Sequence, residues 1–199
     1  MSKSLKGTKT LGNLIASFAG ESQARNRYTF NASIAGAEGY KQIEELFLET
    51  ADNERMHAKR FYDSIVKNLD AKDPIKVAIR SEEYPVSLGS TLQNLKAAAA
   101  GENEEHTILY PEAAKIADEE GFSEIAIVYQ RIADVEVAHE KRFLKLAENI
   151  EQGNVFKKDV KVLWKCRKCG FIFEGKEPPK KCPACSHAQG YFELFVKNY

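Results

Sequence analysis

The chain has 199 residues, enough for one ordinary domain or one domain plus a small one, and its 29 Lys and Arg balance 29 Asp and Glu. Zero net charge without a clustered basic face argues against nucleic acid or an anionic membrane surface as a partner, and no apolar run approaches the ~18 residues of a membrane span. The N-terminal MSKSLKGTKT carries lysines with no apolar stretch behind them, which is not the pattern of a signal peptide, so a cytoplasmic location is expected.

Apolar residues at a period near 3.6 predict long helices over 8–37, 40–69, 88–118 and 121–151. Their stripes run through Leu11, Leu14, Phe18, Ala24, Tyr28 and Ala32, then Ile43, Phe47, Ala51, Phe61 and Ile65. The third continues through Leu88, Leu92, Leu95, Ala99, Leu109, Ala113 and Ile116, and the fourth through Ile125, Tyr129, Ile132, Phe143, Leu146 and Ile150. Short joints at Gly36–Gly39 and Glu120–Gly121 make each pair of helices an antiparallel hairpin. Between the hairpins, 70–87 holds Pro74, Pro85 and a β-like KVAI and is long enough to cross the length of a bundle.

Each stripe is interrupted by polar residues. Glu21 stands on the first, Glu54 and His57 on the second, Glu102 and Glu105 on the third, Glu136 and His139 on the fourth. Carboxylates taken out of water cost several kcal/mol each unless something compensates, and like charges at this spacing raise one another's pKa. Two multivalent cations resolve the conflict. Glu and His three apart lie on one helix face and reach one site, and oxygen-rich ligation with two imidazoles suits iron or manganese.

The pattern is duplicated. AGES at 19–22 is echoed by AGEN at 100–103, and Glu54-x-x-His57 by Glu136-x-x-His139; Glu21 precedes Glu54 by 33 residues and Glu102 precedes Glu136 by 34. Glu105 has no counterpart in the first hairpin, where Ala24 stands, so the two cation positions are unequal. Tyr28 and Tyr110, about two turns from Glu21 and Glu102, are expected to donate hydrogen bonds to ligand carboxylates. His106 is one step off the stripe and expected to be exposed.

After Gly153 the helical period stops. Val160–Trp164 and Gly190–Val196 read as strands around Cys166-x-x-Cys169 and Cys182-x-x-Cys185, a spacing that predicts a tetrahedral four-thiolate site for which zinc and a single iron both fit. A module of this size needs a metal to fold. Trp164, Phe171, Phe173, Tyr191 and Phe192 are expected to pack around it, and His187 is surplus to a full site. The expected division is 1–153 and 154–199.

The combination of Glu21, Glu54-x-x-His57, Glu102-x-x-Glu105 and Glu136-x-x-His139 with C-x-x-C-G and C-P-x-C resembles the rubrerythrin family over nearly the whole chain. One departure is Ser186, where rubredoxins have Gly after the last Cys. The resemblance implies a mainly α fold, a ferritin-like four-helix bundle with a small C-terminal rubredoxin-like β/knuckle domain. It implies two irons in a carboxylate-bridged site and one iron at the four Cys. It also implies a hydrogen-peroxide reductase that protects against oxidative stress, with Glu21, Glu54, His57, Glu102, Glu105, Glu136, His139, Tyr28 and Tyr110 as the catalytic set. In the family an iron exchanges Glu105 for His57 with redox state. Electrons come from NAD(P)H through a separate reductase or a rubredoxin, in keeping with the lack of a G-x-G-x-x-G here. The position of the Cys module beyond the end of the fourth helix leads to the expectation of a head-to-tail homodimer. An alternative is a ferroxidase or iron-handling protein with a structural zinc ribbon. A manganese-type peroxide dismutase or a zinc-bearing redox sensor follows from one module alone.

Overall fold

The computed structural model describes residues 4–69, 75–78 and 83–198. Helices α1 (Lys9–Ala37) and α2 (Lys41–Asn68) form the first hairpin. The second pairs α5 (Ser123–Glu151) with one long rod built of α3 (Thr91–Glu104), a π-helical turn (Glu105–Leu109) and α4 (Tyr110–Glu119). Four rods thus make the bundle. Of the connection between the hairpins, 70–74 and 79–82 lie outside the described residues, among them Pro74 and part of KVAI; Ile75–Ala78 belongs to no strand.

Local chemistry starts each rod. The Thr8 hydroxyl caps α1 by accepting from Leu11 N–H at 3.1 Å. Glu120, at the joint of the other hairpin, reaches across to accept from Lys9 N–H at 3.0 Å, Thr10 N–H at 2.8 Å and the Thr10 hydroxyl at 2.6 Å. A carboxylate on these free N–H groups also meets the positive end of the helix dipole. Ser90 and Gln93 form a reciprocal capping box on α3.

The π turn corrects the expectation of one regular helix over 88–118. Before it the buried face runs Thr91, Leu95, Ala98 and Glu102; after it, Tyr110, Ala113 and Ala117. A seven-residue step from Glu102 would bury Leu109, but one extra residue in the turn puts Tyr110 there instead, and Leu109 is 44% exposed. Tyr110 N–H accordingly reaches back five residues to the Glu105 carbonyl. Pro111 has no N–H to give the ladder, and the wider turn just before it spares the rod an unmade bond. Leu88 lies ahead of α3 and is 67% exposed, so it is not part of the stripe.

The bundle's apolar core is in two halves. One gathers Leu14, Phe61, Tyr110, Tyr129 and Ile132; the other gathers Tyr28, Phe47, Leu95, Phe143 and Ala147. The polar residues of the stripes lie in the layer between them.

The C-terminal module is a three-stranded antiparallel sheet in the order β2–β1–β3, with β1 Val162–Cys166, β2 Ile172–Gly175 and β3 Phe192–Leu194. Strand β2 was not expected from the sequence, and β1 and β3 are displaced from or shorter than their expected spans. Trp164, Phe192, Phe171, Phe173 and Tyr191 pack with the cysteines as expected. The module rests on the start of α2. Gly190 lies so close to Gly39 that a Cβ there would stand 2.0 Å from the Gly39 carbonyl oxygen, Tyr40 stacks on Phe156, and Lys41 lies over the Tyr191 ring.

Candidate metal centre

Glu21, Glu54, Glu102, Glu136 and His139 are buried at 4% exposure or less and His57 at 9%, all in the layer between the apolar halves. They form two groups of four. In one, donor atoms of Glu21, Glu54, His57 and Glu136 lie within 4.8 Å of one another; in the other, those of Glu54, Glu102, Glu136 and His139. Glu54 and Glu136 belong to both. Glu105 belongs to neither; it is half-buried beside them, on the first turn after Glu102.

Whether the residues suit cations is tested by their unsatisfied atoms. Eleven buried side-chain polar atoms lack a hydrogen-bond partner among the described residues, and eight of them are here: both oxygens of Glu54 and of Glu136, one oxygen each of Glu21 and Glu102, and Nδ1 of both histidines. The division is informative. Tyr110 donates to Glu21 Oε1 at 2.5 Å and Tyr28 to Glu102 Oε1 at 2.5 Å, so each of these carboxylates keeps one oxygen for a cation. Glu54 and Glu136 keep both, which is what two bridging carboxylates need. His57 Nδ1 stands 2.9 Å from Glu54 Oε2 and 2.9 Å from Glu136 Oε1. His139 Nδ1 stands 3.3 Å from Glu54 Oε1 and 2.8 Å from Glu136 Oε2. These approaches lack hydrogen-bond geometry, and the donor atoms fall into the two groups of four. Orphaned acceptors in a buried layer cost too much to leave without cations.

Without cations the layer neutralises itself with protons. Burial, reinforced by Glu54 and Glu136, raises Glu102 to about 8. Burial also holds Glu21 and Glu105 well above the carboxylate range, helped by the charges of Glu105, Glu54 and Glu136 on Glu21 and of Glu102, Glu136 and Glu54 on Glu105. Burial opposes charge on the imidazoles, but the carboxylates outweigh it and lift His57 to about 9 and His139 to about 12. Glu136 goes the other way: burial would raise it, yet His139 and His57 hold it down at about 2.

The four cysteines form the second site. Cys166 and Cys185 sulfurs are 3.8 Å apart and Cys169 and Cys182 sulfurs 3.6 Å. Sulfurs about 2.3 Å from the centre of a tetrahedron lie about 3.8 Å apart, so the spacing already suits one cation. Burial resists ionisation of Cys182, but N–H groups of Ala184 and Cys185 hold its thiol down at about 7. The residue after each knuckle takes a left-handed backbone, Gly170 at φ 79° and Ser186 at φ 60°. His187 is no part of the cluster; its Nδ1 lies 3.1 Å from the Cys185 carbonyl and its ring meets Tyr191 edge-on.

Family comparison agrees with the two sites. Residues 12–147 match the rubrerythrin family and residues 164–193 its rubredoxin-like domain. The chain belongs to the rubrerythrin family. It is 57% identical to rubrerythrin-1 of Clostridium acetobutylicum over 99% of this chain and 100% of that one, and 58% identical to rubrerythrin of Clostridium perfringens over 99% and 100%. Among solved structures, partially reduced nigerythrin aligns with a TM-score of 0.63 at 31% identity, over 98% of this chain and 90% of that one. A Desulfovibrio desulfuricans bacterioferritin aligns at 0.63 and 18% identity, over 73% and 82%, a likeness of fold alone. A rubrerythrin holds iron at a Glu/His carboxylate centre and at a four-Cys rubredoxin-like centre, and both donor sets are present here in fitting geometry.

Sequence reasoning missed two neighbours of the cluster. His106, expected to be exposed, is half-buried with Nε2 2.7 Å from Glu140 Oε2, while Asn103 donates to Glu140 Oε1 at 2.9 Å; together they tie the π turn to α5. Asn53 Oδ1 lies 3.3 Å from His139 Nε2. Its position directly before Glu54 was the available signal.

Proposed function

We propose that this chain is a hydrogen-peroxide reductase, converting H2O2, two protons and two electrons to two waters, and that it protects the cytoplasm from oxidative stress. The carrying observation is the presence in one chain of a cluster built for two bridged cations and a four-thiolate site. Bound iron supplies the electrons and the Lewis acidity for breaking the O–O bond. The chain's own residues do the rest. Glu54 and Glu136 set the two cation positions side by side, His57 and His139 complete them, and the phenols of Tyr28 and Tyr110 keep Glu102 and Glu21 turned inward. A cleft of about 230 Å³ between α1 and the π turn, lined by Gly20, Tyr84, Gly101, Glu105 and Tyr110, leads a small polar substrate to the layer.

Electrons enter at the Cys site, where Cys169 is exposed, from a rubredoxin or an NAD(P)H-linked reductase. Within one chain the module lies at the start of α2, and Glu54 is thirteen residues further on, roughly 20 Å along the helix at about 1.5 Å per residue. That length favours transfer between the two chains of a head-to-tail homodimer, with the module of one beside the cluster of the other. A chain that remains monomeric on sedimentation while turning over at full rate would overturn the dimer.

Cys182→Ser tests the function. The variant should still be oxidised by one addition of peroxide, as read by the absorbance of the carboxylate-bound iron, and should lose steady-state turnover with external reductant. Unchanged turnover would remove the Cys site from the electron path, and failure of the parent to react with peroxide would overturn the reductase reading.

A further inference from the structure

The two halves of the centre are related by the internal repeat, and most contacts obey it. Tyr28 serves Glu102 as Tyr110 serves Glu21, and each imidazole presents Nδ1 to both bridging carboxylates. The outer nitrogens of the two rings do not obey it. His139 Nε2 meets Asn53 Oδ1, an acceptor from the opposite hairpin, and this bond fixes the ring plane and keeps the Nε2 proton in place so that Nδ1 faces inward. Asn53 directly precedes Glu54. The residue directly preceding Glu136 is Val135, which has no acceptor and is 38% exposed. Among the described residues no hydrogen bond to His57 Nε2 is found, and His57 is the more exposed of the two rings at 9%.

We propose that Asn53 is a positioning residue that makes His139 the fixed imidazole of the centre, and that Val135, in the repeat-equivalent place, leaves the His57 ring free to turn. The inference rests on the metal-centre reading above, and it locates the inequality of the two halves in a residue pair outside the donor set.

The test uses full-length protein with ¹⁵N-labelled histidine, metal-free and loaded with zinc, which is diamagnetic. In the parent the His139 Nε2–H signal should be protected from exchange with water and the His57 signal should not. Asn53→Val should abolish the His139 protection, and Asn53→Asp, which keeps an acceptor, should restore it. Val135→Asn, at an exposed position that carries little risk to folding, should give His57 a protected N–H for the first time. Zinc affinity at the corresponding position should fall about tenfold in Asn53→Val and rise by a similar factor in Val135→Asn, the size of effect typical of a group that orients a metal-bound histidine. Persistence of the His139 signal in Asn53→Val, or an unprotected His57 in Val135→Asn, would overturn the proposal. Failure of the parent cluster to bind zinc would instead overturn the metal-centre reading, while the N–H pattern of the metal-free protein still decides the anchoring, because the bond involves the nitrogen that faces away from the cluster.

Discussion

Glu54 and Glu136 each have two oxygens without hydrogen bonds, while Glu21 and Glu102 each have one oxygen held by a phenol. At the scale of single residues this division sets apart the two carboxylates that belong to both groups of four, and the sequence marks the same pair, since only Glu54 and Glu136 are followed three residues on by a histidine. Glu105 was equally legible as a polar interruption, yet it stands outside both groups of four, at the residue where the π turn starts. We predict that Glu105→Ala slows oxidation by peroxide at least tenfold in single-turnover kinetics while thermal unfolding stays near the parent; kinetics at the parent rate would mean that Glu105 has no part in the reaction. Ser186 is the other informative residue. Its departure from glycine was visible in sequence, and its φ of 60° gives the departure a cost. A left-handed backbone costs a residue with a Cβ roughly 1–2 kcal/mol, and glycine's extra freedom when unfolded returns part of that, so Ser186→Gly should stabilise the Cys module by about 1 kcal/mol. Denaturant concentration at half-loss of the thiolate-iron absorbance measures it.

At the scale of elements, the four rods and their apolar faces could be read from periodicity, because burial of a 3.6-residue stripe is a local signal. The π turn was legible in two places that periodicity does not weigh. Glu21 to Glu54 is 33 residues and Glu102 to Glu136 is 34; Glu21 to Tyr28 is seven and Glu102 to Tyr110 is eight. The extra residue of the second hairpin therefore falls between Glu102 and Tyr110, where the turn is, with Pro111 marking its end. Strand β2 could not be read in the same way: four residues that pair only with β1 carry too short a pattern. Glu120 shows a long-range contact with no sequence signal at all. Its carboxyl is held below the usual range: burial opposes this, but Thr10 through its hydroxyl and N–H, and Lys9 through its N–H, outweigh it. We predict that Glu120→Ala destabilises the bundle by about 1 kcal/mol, the usual cost of a lost helix cap, in denaturant titration at pH 7. The sign follows from the lowered pKa: the contribution is present above the ordinary glutamate pKa and disappears as pH falls through the folded pKa, so parent and variant should converge in acid.

At the scale of the whole molecule, cations and protons compete for one layer. In the metal-free protein Glu102 at about 8, His57 at about 9 and His139 at about 12 all lie above the ordinary values of a carboxyl and an imidazole. The folded state then binds protons that the unfolded chain has released, and stability declines as pH rises through those folded values. We predict that the metal-free protein loses on the order of 5 °C or more in Tm between pH 6.5 and 9, and that the iron-loaded protein does not, since cations have replaced the protons. Equal pH slopes for the two forms would show that the layer is not where the metal binds. The docking of the Cys module on α2 was beyond reach of the sequence because it depends on Gly190 meeting Gly39, two glycines 151 positions apart. The phenols lead to a different consequence. Tyr28 leaves the first hairpin to hold a carboxylate of the second, and Tyr110 does the reverse. Neither hairpin owns a complete half-centre. Closing the bundle and arming the centre are thus a single event, so a nascent chain with only its first hairpin made has no partly competent centre through which to release harmful iron chemistry, and two fragments cut between the hairpins should recover metal binding only when mixed.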